Sequence, residues 1–409
     1  MMSTPAPDKG HADHHHVRPL QRMTARSREE SDRRATPLEL FFDLCFVVAV
    51  AQAGAQLVHA VAEDHAGTGV VGYLYVFFGV WWAWMNFTWF ASAYDCDDVP
   101  YRIATLIQIS GVLIYAAGVP RAFVDNDWTI AVVGYLVMRV ALTGQWLRAG
   151  ASEPPGPARR TAVVYAVGLV LCQAAWVALL AAPEGSRRWL FLIVVVGELL
   201  VPVVAERDHQ TPWHPHHIVE RYGLFTLIVL GETMHAATTA VQSALDENDA
   251  LGELLPIAAG GLLIVFAAWW IYFAVPAHER LVSNRQAFPW GYGHLLIFAS
   301  AAAVGAGLEV AVEQAVGKAH LPTTAAAAAV TIPAAAFFLT VWLLHARHFK
   351  RGTAQQLTLP VGALAVLSCT FAGHWAVFAA GLAAAATVAV GVTLAARPPR
   401  PAITREQLR

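Results

Sequence analysis

The chain has 409 residues, of which 57% are hydrophobic and only 14% are charged. A soluble domain carries about 25% charged residues, so this composition belongs in a membrane. The formal net charge of −2 excludes a global basic field for nucleic acid. The cysteines Cys45, Cys96, Cys172 and Cys369 are scattered without metal-type spacing.

Residues 1–36 are polar, rich in Arg, and lack the apolar stretch of a cleaved signal peptide. They read as a disordered cytosolic tail, in which His11 and His14–His16 could bind a metal only loosely. Apolar runs of about 20 residues then recur, as spanning helices require. They cover 37–61, 70–93, 101–122, 128–148, 161–182, 189–205, 217–243, 253–276, 290–315, 325–346, 357–373 and 375–395. Backbone polar groups in hydrocarbon must be satisfied within each segment, so each run is helical. The expected fold is all-α: a polytopic membrane protein of about 12 transmembrane helices.

Lys/Arg bias sets the orientation. With both termini in the cytosol, only Arg121, Arg187, Arg188 and Lys318 of the 27 Lys/Arg fall on the outside, and Arg139 falls inside a helix. An internal echo divides the chain. Leu38–Leu44 opens the first helix as Val219–Phe225 opens the seventh, and Trp81-Trp82-Ala-Trp84 answers Trp269-Trp270-Ile-Tyr272. The expectation is two parallel six-helix repeats, 37–205 and 217–396, joined by a His/Pro linker at 206–216 and followed by a cytosolic tail at 397–409. Parallel repeats of this kind occur in secondary transporters.

Three stretches resemble a known family: PLELFFDLCFVVAVAQ, WWAWMNFTWFASAYDCDD and HPHHIVERYGLFTLIVLGE. In this order they are similar to the bacterial low temperature requirement protein A (LtrA) family, and the likeness runs from about residue 36 to the final helix. The family's Glu-Leu-Phe-Phe-Asp motif falls on Glu39–Asp43. Its Glu-Arg-x-Gly-Leu-Phe motif falls on Glu220–Phe225, and Leu-Gly-Glu on Leu230–Glu232. The resemblance implies a multi-pass protein of the bacterial cell membrane, linked by name to growth in the cold. It implies no substrate and no cofactor.

Several polar residues stand out against this apolar background. Glu39 and Asp43 are four apart and share one helix face. Two ionised carboxylates that close repel, which suits proton binding. Arg221, Glu232 and His235 share a face of the seventh helix, with Glu220 at its start. An acid in hydrocarbon is costly and turns to the bundle interior. Arg139 and Glu198 both fall near mid-bilayer, and lone charges there pair, so a contact between them is expected. His214, His216 and His217 precede Glu220. A zinc site needs three or four such ligands, and Pro215 is expected to interrupt the helix and spoil a rigid site. Asp95, Asp97 and Asp98 read as a solvated loop with Asp98 starting the third helix. Glu309 and Glu313 read as a solvated face.

These features favour a proton-coupled secondary transporter or permease for an unidentified small molecule or ion. Glu39, Asp43, Glu220 and Glu232 would titrate, and the halves would rock about the first and seventh helices. A membrane-embedded enzyme acting on a lipid-type substrate through His214–Glu220 is the alternative, as is a non-transporting sensor or scaffold. No spacing nominates a catalytic triad, a P-loop or a dinucleotide site. The one partner that composition guarantees is the lipid bilayer.

Overall fold

A computed structural model describes residues 19–28, 30, 33–247, 251–350 and 352–396. Among the described residues there is no strand, and twelve helices are long and apolar enough to cross a membrane. They are α1 (Pro37–Ala62), α2 (Ala66–Tyr94), α3 (Val99–Val124), α4 (Thr129–Ser152), α5 (Pro157–Leu180), α6 (Glu184–Ala205), α7 (Pro215–Gln242), α8 (Leu251–Tyr272), α9 (Asn284–Ala315), α10 (Thr323–Phe349), α11 (Thr353–Phe371) and α12 (Gly373–Ala395).

Local chemistry fixes the starts that matter for the site. Thr36 opens α1 with a capping box. Its hydroxyl accepts from the Glu39 N–H at 3.3 Å, and a Glu39 oxygen accepts from the Thr36 N–H at 2.7 Å. Such a box satisfies two orphan donors of the first turn. Asp98 caps α3 by accepting from the Tyr101 N–H at 3.0 Å, one residue before Val99 and Pro100. Pro215 begins α7 rather than interrupting it, because a first-turn proline has no N–H to lose.

The bundle is built outward from α9, most of which is buried. In the first half α1 packs on α2 and α3, α3 on α4, α4 on α5, and α5 on α6. In the second half α7 packs on α9, α9 on α10, α8 on α12, and α11 on α12. Across the halves α1 meets both α7 and α9. Two glycines mark the closest approaches. A Cβ on Gly134 would fall 2.3 Å from the Tyr115 nitrogen of α3, and one on Gly307 2.1 Å from the Ala329 oxygen of α10. Backbones this near tolerate only a hydrogen between them.

Two expectations change on contact with the fold. The described residues of the N-terminal segment, expected to be disordered through residue 36, lie against the bundle from Gln21. Met23 is buried, the Arg26 N–H donates to Ala93 O at 2.9 Å, and Arg22 Nε donates to Ser152 O at 2.7 Å. Arg148 of α4 binds Asp98 and also donates to Gln21 O at 2.7 Å. The segment's backbone and basic side chains thus find acceptors at the ends of α2, α3 and α4, which sequence position alone does not reveal. Burial by itself would raise the Asp98 carboxyl, but the Arg148 guanidinium and the N–H groups of Gln21 and Tyr101 hold it down, at about 2. We call the end of the bundle carrying this strap the strap face, and the opposite end the far face. His11, His14–His16 and the tail at 397–409 lie outside the described residues.

The tryptophan echo also divides. Trp81 and Trp82 are buried, whereas Trp269 and Trp270 are 46% and 49% exposed. α2 runs through the interior, touching α1, α4, α7 and α9, while α8 is backed mainly by α12. The same side chains therefore face protein in one half and the apolar periphery in the other.

Candidate functional site

The capping box leaves one Glu39 oxygen free to point inward. That oxygen, Oε1, lies 2.9 Å from Arg221 Nη1, 3.1 Å from His217 Nε2 and 3.7 Å from Arg33 Nη2. One turn deeper on α1, Asp43 accepts from Arg221 Nε at 2.8 Å and Nη2 at 2.5 Å, and from Trp84 Nε1 at 2.6 Å. One guanidinium from α7 thus spans two carboxylates of α1, and all of these groups are buried. Arg33 extends the network to Asp95, 3.6 Å away, just beyond the end of α2. Among the described residues the directly touching groups are three carboxylates (Glu39, Asp43, Asp95), two guanidiniums (Arg33, Arg221) and one imidazole (His217). With His217 neutral the set is one positive charge short of balance.

The acids proposed from sequence do not all join this set. Glu220 is half-buried and accepts from the Ala35 N–H at 3.2 Å, so it holds the strap. Glu232 lies eleven residues beyond Arg221, roughly 16 Å along α7 at the helical rise. There, with His235, Gln52 and Glu309, it lines a cavity of about 240 Å³ between α1, α7 and α9. Glu309 is therefore no simple solvated face. An aromatic layer separates the cavity from the network: Trp84 stacks on Phe225 at 4.4 Å, and Phe225 meets Phe298 edge-on at 4.8 Å.

The histidines do not converge. His217 turns inward to Glu39. His214 caps the start of α7, its Nδ1 accepting from the His217 N–H at 3.4 Å. His216 is exposed and lies against His278, ring centroids 3.9 Å apart. Among the described residues no three or more metal-type ligands cluster. The His214 and His216 rings lie 5.9 Å apart while His217 turns away to Glu39, so the three do not form one ligand set.

Arg139 and Glu198 do meet, Nη2 to Oε2 at 2.7 Å. Glu198 also accepts from Trp82 Nε1 at 2.9 Å, Trp176 Nε1 at 3.0 Å and the Tyr135 hydroxyl at 3.1 Å. The carboxylate is a four-helix hub joining α2, α4, α5 and α6. Trp176 also lines a far-face cavity of about 880 Å³.

The family model described as bacterial low temperature requirement A protein (LtrA) matches residues 34–396. The chain belongs to the LtrA family. The uncharacterized protein RA0937 of Rhizobium meliloti (strain 1021) is 26% identical over 288 residues, covering 66% of this chain and 68% of its own. The three LtrA-like stretches supply Glu39 and Asp43, Trp84 and Asp95, and His217 and Arg221, so they meet at one point in space.

The sequence does not mark Asp95 and Arg33 as partners, because Asp95 reads as solvated loop and Arg33 as tail, and it sets His217 beside Glu220 rather than Glu39. Asp95 lies outside the spans. Burial is the main cause raising its carboxyl, neighbouring Glu39 adds to this, and Arg33 opposes both, leaving it at about 6 against an ordinary 3.8. The folded chain therefore holds a proton over this window that the unfolded chain has already lost. By linkage, stability should fall as pH rises from 3.8 to about 6. Denaturation midpoints measured across this range should show that slope, and Asp95→Asn should flatten it.

Proposed function

We propose that this LtrA protein is a secondary transporter or permease driven or accompanied by protons. The carrying observation is the charge count: three touching carboxylates against two guanidiniums, with His217 and Asp95 as places for the missing proton. On this reading the Glu39–Asp43–Arg221 network is the closed gate at the strap face. The cavity holding Glu232, His235 and Glu309 is the chamber beyond it, and the aromatic layer of Trp84, Phe225 and Phe298 is the barrier between. Opening the gate separates α1 from α7, which exposes the carboxylates and lets the proton leave. Two parallel six-helix halves, with the strap face and both termini in the cytosol, complete the reading. The Lys/Arg bias of the loops supports that orientation.

A second reading has its own support. Glu39, Asp43 and Glu198 all have ionic partners, as packing devices in a membrane sensor would. The diverging histidines give no support to an enzyme at His214–Glu220.

Proton flux into proteoliposomes decides between the two. Glu232→Gln and Asp43→Asn should each slow flux by at least about tenfold, the equivalent of one hydrogen bond to a charged group at about 1.5 kcal/mol. Size-exclusion profiles verify that each variant is folded. Flux in folded variants indistinguishable from the parent would leave only the second reading.

A further inference from the structure

Near the strap-face end of the second half, α10 carries a π-turn at Trp342–Ala346. Such turns occur mostly as single bulges inside α-helices and are frequent at functional sites. His345 lies in this turn, 2% exposed, and among the described residues no side chain pairs with either ring nitrogen, while the Tyr272 backbone carbonyl is a weak acceptor for the ring. A second buried imidazole, His294 of α9, sits beside it with ring centroids 5.3 Å apart.

The two rings differ in one respect that matters. His294 Nδ1 is 2.7 Å from the carbonyl oxygen of Trp290, which can only accept, so Nδ1 carries the hydrogen. Nε2 of the neutral ring is then an acceptor, and the Tyr272 hydroxyl donates to it at 3.1 Å. His294 is fixed in one tautomer. His345 has only the weak contact with the Tyr272 backbone carbonyl, so among the described residues one of its ring nitrogens is left bare. A buried polar atom without a partner is costly, and such atoms in native proteins call for a specific explanation. Trp290 Nε1, whose ring stacks over His345 at 5.9 Å, is unpartnered as well.

We infer that His345, with His294 beside it, is a proton-binding site of the second half. A hydronium ion at the strap face gives up its proton to a bare nitrogen of neutral His345: one O–H bond breaks, one N–H bond forms and water leaves, and the reverse step releases the proton. His345 lies four residues from the end of α10, roughly 6 Å of helical rise, so the path is short. Only one proton fits, because two imidazoliums at this spacing repel. The groups facing His345 are Tyr272 of α8, Trp290 and His294 of α9, and Arg280 of the turn after α8, with Arg347 next along its own helix. Among the described residues neither ring has a carboxylate partner. The charge on His345 is therefore not locked in place, and the site can release its proton.

The site is packed continuously onto the network of the first helix. His294 meets Tyr222 edge-on at 4.7 Å, Tyr222 meets Trp84 edge-on at 4.8 Å, and Trp84 donates to Asp43. A change at His345 thus has rigid neighbours leading to the Asp43–Arg221 bond.

The test reads protonation directly. The full chain with ¹⁵N-labelled histidine is placed in lipid nanodiscs, and ring nitrogens are followed from about pH 8 to about pH 4, the range in which imidazoles titrate. One solvent-shielded ring should pass from the neutral to the doubly protonated pattern, and that signal should vanish in His345→Gln and in His345→Asn. In His294→Gln the His345 signal should remain and shift. If every shielded ring keeps its neutral pattern, or the titrating signal survives both His345 replacements, the inference is overturned. Loss of proton flux as a property of the protein would not touch this result, since no transport is measured.

Discussion

Replacing Arg221 with methionine is expected to destabilise the protein more than any other single change at the strap face. Arg221 makes two hydrogen bonds to Asp43 and an ion pair with Glu39. Methionine matches much of its volume but leaves both carboxylates facing an apolar side chain. His217 and Arg33 still touch Glu39, but Asp43 keeps only the Trp84 N–H. Removing one partner of a buried ion pair costs about 3–5 kcal/mol, a large share of a total stability of about 5–15 kcal/mol. Arg221→Lys retains the charge without the planar fork that reaches both acids, so it should fall between parent and Arg221→Met. Adding Asp43→Asn to Arg221→Met removes one stranded charge and should recover part of the loss. Thermal unfolding of the four proteins in one nanodisc composition gives the order. A melting temperature for Arg221→Met equal to that of the parent would show that the network contributes nothing to holding α1 against α7.

How much of this was legible beforehand depends on how local each cause is. The twelve spans follow from hydrocarbon thickness and backbone satisfaction, which act on every segment alone. The structure lengthens several of them by a turn of cap, as at Glu184 and Asn284. Glu39 and Asp43 were legible as a pair because four residues on a helix fix their common face. Glu220 was not legible as a strap anchor, because its donor is the backbone of Ala35, 185 residues away in the chain. Asp95 read as loop because it follows the last helical residue of α2. It is buried only because the strap brings Arg33 across it. His345 gave no signal, since a π-turn arises from packing rather than from a residue pattern. The tryptophan pairs mislead for a related reason. Similar sequence at Trp81 and Trp269 carries no information on which neighbour, α9 or lipid, will cover it.

The second large effect is expected at Glu198, and it separates an ion pair from a hub. Glu198→Leu strands Arg139, whose Nε and Nη1 already lack acceptors among the described residues. It also removes the acceptor for Trp82, Trp176 and Tyr135. The lost pair alone is worth about 3–5 kcal/mol, and each stranded donor adds about 1–3 kcal/mol where it finds no substitute. Glu198→Leu should therefore sharply lower both the yield and the melting temperature of the folded protein. Glu198→Gln keeps one oxygen but turns an N–H₂ toward groups that are themselves donors, so it too should be strongly destabilising. The informative variant is Arg139→Met combined with Glu198→Met. If the charges only neutralise each other, the double variant should be about as stable as the parent, because apolar replacements of buried pairs often are. The geometry predicts otherwise: two indoles and a phenol remain without their acceptor, so the double variant should recover the pair's share and no more. Melting temperatures in one nanodisc composition should then rank the parent first, the double variant next and Glu198→Leu last. Parity between parent and double variant would reduce Glu198 from the hub of four helices to one half of a salt bridge.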